Sequence, residues 1–90
     1  MVIDITSAKM PLIEERYVIT KATYGSHKFE SAKDMAKYVS DAMQKKFGYF
    51  WDAFVEMKAS SKTVKRTCDS KSIINFSVND LNFIICRVMR

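Results

Sequence analysis

Residues 31–48 read Ser31-Ala-Lys-Asp-Met-Ala-Lys-Tyr-Val-Ser-Asp-Ala-Met-Gln-Lys-Lys-Phe-Gly48, and the reading of this run decides the fold. Ala32, Met35, Ala36, Val39, Ala42, Met43 and Phe47 recur at three- and four-residue spacing, which collects them on one face of an amphipathic helix. Lys33, Lys37, Asp41, Gln44 and Lys45 fall on the other side. Ser31 stands where a helix wants an oxygen to cap its first free amides, and Gly48 where the chain must leave through a positive φ. A helix with one apolar face has to bury it against another layer. Met35 and Met43 are read as filling for that contact and not as ligands of a cofactor.

Downstream of Gly48 the period changes to two. Trp51, Ala53, Val55 and Met57 alternate with Asp52, Phe54 and Glu56, the pattern of a strand with one apolar face. Ile74, Phe76 and Val78 alternate into Asn79-Asp80, a turn pair tolerant of positive φ, and Leu81, Phe83 and Ile85 alternate out, which makes a hairpin. Between them residues 61–67 form a basic, polar stripe of strand length that needs an outside partner to pair with. Upstream, residues 2–6 alternate enough for a short strand. Pro11, the first-turn acids Glu14 and Glu15, and Gly25 as terminator bound a helix over 11–25. The expected fold is α+β, in the order β-α-α-β-β-β-β, with both helices packed on an antiparallel sheet and residues 1–90 forming one domain.

Composition excludes most chemistry. Of 90 residues 48% are apolar and 28% charged, with two Gly and one Pro, so the chain has a core to bury and is no linker. The acidic start of the chain and the absence of an apolar run near the ~18 residues that a span needs are read as a soluble, cytoplasmic protein without a membrane span. Cys68 and Cys86 show no Cys-x-x-Cys spacing and are expected to be small strand residues in a reducing compartment, unbridged. His27 is the sole imidazole and sits in a polar stretch read as a solvated turn, so neither a zinc cage nor a hydrolytic triad can be assembled, and no enzyme is expected. No Asp-x-Asp-x-Asp-Gly loop occurs, so no calcium or other cofactor is assigned to this domain. Most of the +5 net charge lies between Lys58 and Lys71. That stripe keeps a nucleic-acid or anionic-surface binder as the alternative function. It lacks aromatic residues for stacking, and a charged edge strand explains it better.

The run Ser31-Ala-Lys-Asp-Met-Ala-Lys, then Met43-Gln-Lys-Lys-Phe-Gly followed by Trp51, resembles the second helix and following strand of the eight-kilodalton dynein light chains. The lysine pair Lys45-Lys46, the aromatic Phe47, and Trp51 four residues on are its specific part. The pattern runs without a gap from Met10 to Trp51 and resumes at Ile74, Phe76 and Phe83-Ile-Ile-Cys-Arg; between the two the chain is about three residues longer and the match fails. The resemblance implies a homodimer in which the third strand joins the partner's sheet. Extended peptides then add as a further strand in the groove between that strand and the second helix. It assigns groove residues Lys33, Asp34, Lys62, Thr63, Val64, Lys65, Arg66, Thr67, Asn75 and Ser77, and dimer-interface residues Trp51, Asp52, Phe54 and Val64. The family is cytoplasmic and joins the dynein motor on the cytoskeleton, so that complex becomes an implied partner.

The departures fall in the groove. The family follows its second strand with Gly-x-x-Phe-Gly and a Val-Thr-His-Glu run; this chain has Glu56-Met-Lys-Ala-Ser-Ser-Lys-Thr-Val-Lys-Arg-Thr and keeps only Val64. Asn75 and Ser77 stand where the family's groove has tyrosines, and Asp52 where it has a histidine at the two-fold axis. A retained scaffold with a rewritten recognition surface follows, and its lysines imply acidic peptide ligands. The chain is also similar to the divergent dynein light chain domain of flatworm tegumental calcium-binding proteins. That resemblance implies a tegumental setting and EF-hands placed in a preceding part of a longer protein.

Overall fold

In the computed structural model, which describes residues 2–57 and 68–88, the Ser31 hydroxyl accepts the amides of Lys33 at 3.2 Å and Asp34 at 3.4 Å. This cap opens helix α2 (Ala32–Phe47), and such caps contribute about 1 kcal/mol. Met35, Val39 and Met43 are its buried stripe. Gly48 closes it with φ 76°, and nothing lies within 4 Å of where a Cβ would stand, so the conformation and not the space demands glycine. Tyr49 continues at φ 64°, turning the chain into strand β2 (Trp51–Met57). The Trp51 indole then donates to the Gly48 carbonyl at 2.7 Å, tying the strand back to the helix end.

The remaining elements are β1 (Ile3–Lys9), α1 (Leu12–Lys28), β3 (Cys68–Val78) and β4 (Leu81–Val88). All strand pairs are antiparallel, in the order β1-β3-β4-β2, and both helices lie on one face of the sheet. Val18 and Ala22 of α1 and the α2 stripe meet Trp51, Ile74, Phe76, Val78, Phe83 and Ile85 there. The Phe76 and Phe83 rings, opposite each other across β3 and β4, stack at 5.4 Å with both residues fully buried. At the hairpin, Asn79 takes φ 54° and exchanges two hydrogen bonds with the backbone of Val2, which fastens the start of β1 to the turn. The architecture is the expected α+β arrangement of two helices on an antiparallel sheet. The basic strand expected over 61–67 lies outside the described residues.

Four local readings are corrected. The first strand extends to Lys9, because a bulge between Ile5 and Ser7 lets β1 follow β3 further than its apolar alternation shows. Helix α1 does not stop at Gly25. It runs to Lys28, His27 lies in its last turn, and Gly25 is buried where a Cβ would come within 3.2 Å of the Tyr38 ring. That glycine is a close-approach residue between helices. The strand read as beginning at Ile74 starts at Cys68, and its first residues are held by the Asp69 carboxylate, which accepts from the Arg87 guanidinium at 2.6 Å and from the Lys71 amide at 2.9 Å.

Cys68 and Cys86 are joined in a disulfide, against the expectation of two separate thiols. The register explains it. Cys68 pairs with Val88 and Ile73 with Cys86, so β3 carries surplus residues between two points that on β4 are close neighbours. The excursion brings the two Cα atoms to 5.5 Å. The bridge removes the argument for a reducing compartment that rested on the cysteines being apart.

Arg87 sits at the end of the sheet over the Tyr49 ring, 4.6 Å from its centroid. Hydrogen bonds from Lys71 and Arg87 hold the Asp69 carboxyl below the usual range. Burial pushes Glu14 up, opposed by the charge of Arg87, and its Oε1 is buried without a hydrogen-bond partner. A carboxyl raised in the folded state favours folding most when protonated, so its ionised form weighs against the fold at neutral pH. Glu14→Gln is therefore expected to raise the melting temperature at about pH 7. The gain should shrink as the pH falls to about 4, the reference range of a glutamate, and thermal denaturation at both values measures it.

Candidate functional site

Strand β2 stands last in the strand order and α2 runs beside it. Between them lies a groove of about 390 Å³, lined by Ala32, Lys33 and Ala36 from the first turns of α2 and by Ala53, Phe54, Val55 and Glu56 of β2. Its width follows from the sequence. Ala32 and Ala36, four residues apart on one helix face, are too short to fill the space over Ala53, while larger residues would close it. Lys33 and Glu56 border it with opposite charges, and Ala53 and Val55 supply apolar surface from the strand face turned toward the helices. A slot with a strand on one wall and a helix on the other suits an extended segment whose alternate side chains enter it.

The residues singled out from the sequence divide among several places. Lys33 lines the groove. Asp34 does not; it lies on the far side of the helix, lining a separate cavity of about 240 Å³ with Phe29, Lys37, Tyr38 and Asp41. The amides of Lys33 and Asp34 are already spent on the Ser31 cap. Trp51 faces the helices and is buried within the subunit, touching Phe47. Asp52 and Phe54 alternate to the opposite face of the sheet, half-buried and paired with Cys86 and Ile84. Asn75 and Ser77 belong to β3, two strands away from β2, with Ser77 buried and the Asn75 Oδ1 buried without a partner. One subunit therefore does not bring Asn75 and Ser77 to the groove beside Lys33. Lys62, Thr63, Val64, Lys65, Arg66 and Thr67 lie outside the described residues.

Ala32, Ala36, Ala53, Val55 and Glu56 line the groove without having been singled out for it from the sequence, and the resemblance assigns Phe54 to the dimer interface instead. The two helix alanines carried a signal, small side chains at helical spacing, which was absorbed into the core face. Among the described residues no group of three His, Cys, Asp or Glu side chains stands close enough to hold a metal. No helix among them is long and apolar enough to cross a membrane.

No protein-family model and no curated protein matches the sequence. Solved structures do. Two structures of the dynein light chain-like domain of the calcium-binding protein FhCaBP2 from Fasciola hepatica superpose with TM-scores of 0.79 and 0.81 at 18% and 17% identity. They cover 98% of this chain and 93% and 92% of theirs. The dynein light chain-like domain of CsTAL3, residues 83–177 of that protein, superposes with a TM-score of 0.75 at 15% identity, covering 94% of this chain and 90% of its own. With the helices, the sheet and its strand order all accounted for over nearly the whole length, the chain has the dynein light chain-like fold.

Proposed function

We propose that the chain is a non-enzymatic dimerisation and peptide-binding module of dynein light chain type. In this reading the basic segment 61–67 of one subunit joins the sheet of its partner beside β2. An extended peptide then adds as a further strand toward α2. The single observation that carries the reading is the groove itself, an open slot between α2 and the last strand in the order. Symmetric exchange would complete both copies at once. Lys33 in the groove and Lys62, Lys65 and Arg66 on the exchanged segment favour an acidic peptide, since complementary charge speeds encounter and rejects basic competitors.

Selection from an array of extended peptides tests this directly. Enrichment of acidic sequences, weakened by Lys33→Glu, is the expected result; no enrichment would remove the peptide function. The solved structures of similar fold belong to proteins described as calcium-binding or as longer chains, which supports placing this domain behind calcium-binding elements outside these 90 residues. Tegumental or cytoskeletal location and a dynein complex belong to the same proposal.

A further inference from the structure

The outer surfaces of α1 and α2 enclose a second cleft, about 490 Å³ in volume and separate from the peptide groove. Tyr17 and Lys21 line it from α1, and Tyr38, Asp41, Ala42, Lys45 and Lys46 from α2. The lysines are positioned by the rings. The Lys21 Nζ lies 5.4 Å from the Tyr17 centroid and 5.9 Å from that of Tyr38, and the Lys46 Nζ lies 5.8 Å from the same Tyr17 ring. Two ammonium groups thus share one aromatic anchor and Lys45 adds a third. Asp41 is the one carboxylate that lines the cleft, and among the described residues none of the three lysines is held in a salt bridge. Set against Asp41, they leave the cleft two positive charges in excess.

We propose that this cleft binds a small phosphomonoester. The ammonium groups act as point charges toward phosphate oxygens, and the phosphate of a monoester carries close to two negative charges at neutral pH, which matches the excess. The tyrosine hydroxyls can donate to the remaining oxygens. A volume of this size exceeds what phosphate alone needs and falls in the range of small-molecule sites, so the Ala42 methyl and the ring surfaces are left for an organic body. A carboxylate would offset half of the excess charge. A nucleic-acid strand presents one charge per phosphate along a track, and a bounded cleft between two helices offers it no track.

Phenyl phosphate is the probe. Titrated into the isotope-labelled protein, it is expected to shift amide resonances around Tyr17, Lys21, Ala42 and Lys46, with phenol leaving them unmoved. Calorimetry on the double variant Lys21→Ala, Lys46→Ala should show affinity reduced at least tenfold, circular dichroism reporting an intact fold, while Lys33→Ala in the other groove binds as the wild type. Vesicles of phosphatidylcholine containing phosphatidylinositol 4-phosphate separate the sources of the ester. Binding to them that the double variant loses identifies a lipid headgroup, and binding of phenyl phosphate without the vesicles identifies a free metabolite. Shifts confined to other surfaces, equal binding of phenol, or capture of an oligonucleotide without phenyl phosphate would overturn the proposal. If the double variant does not fold, the map of shifts on the wild-type protein decides alone.

Discussion

Reducing the Cys68–Cys86 disulfide is expected to cost the fold about 3 kcal/mol, the entropy of a loop of this length released into the unfolded chain. In a domain of this size that corresponds to a fall in melting temperature of roughly 12–24 °C. Cys86 is fully buried and Cys68 partly exposed, so a reductant reaches the bridge from the Cys68 side. Calorimetry with and without reductant, with free thiols counted, measures the effect. An unchanged melting temperature in fully reduced protein would show that the bridge constrains nothing that the sheet does not already hold.

Why that bridge was illegible in the sequence is a matter of register. Spacing shows which residues alternate, and alternation from Ile74 to Ile85 gave the hairpin correctly. Residues 68–72 are polar and do not alternate, so nothing in them announced a strand, and without a strand Cys68 had no address opposite β4. The hydrogen bonds of Asp69 to Lys71 and Arg87 make that irregular start a part of the sheet. Gly25 failed for a related reason. A glycine near a helix end has two uses, exit or close approach, and only the position of Tyr38 on the neighbouring helix distinguishes them.

Phe76→Ala should be the most damaging single substitution among the described residues, at about 3–5 kcal/mol, because it removes both the transfer energy of a buried ring and the stacking partner of Phe83. Against a total of roughly 5–15 kcal/mol for a domain, the variant stands near the limit of folding. Ile73, the neighbour on the opposite face and only partly buried, is the control, with a smaller loss on the same truncation. Urea denaturation of both variants reports the difference. A cost for Phe76→Ala below that of Ile73→Ala would mean that the helices do not pack on the face assigned to them.

The candidate site was legible in part. Lys33, which the resemblance assigns to a peptide groove, lines the slot between α2 and β2. Asp34 follows it in sequence by one residue, which on a helix is a rotation of about 100°, enough to carry it out of the groove. Asn75 and Ser77 were assigned to the groove by a pattern that describes two subunits together, whereas a single subunit keeps β3 two strands away from β2. Residues matched through such a pattern inherit its symmetry as well as its positions.

That symmetry is the central claim. Sedimentation equilibrium on the 90-residue chain, alone and as Val64→Pro, tests it most directly, since proline removes a ladder donor from the segment proposed to cross between subunits. The account predicts a wild-type mass of twice 10.4 kDa, with the variant falling to 10.4 kDa while circular dichroism shows its helices intact. A wild-type chain that sediments as a monomer at every concentration, or a variant as dimeric as the wild type, would contradict it.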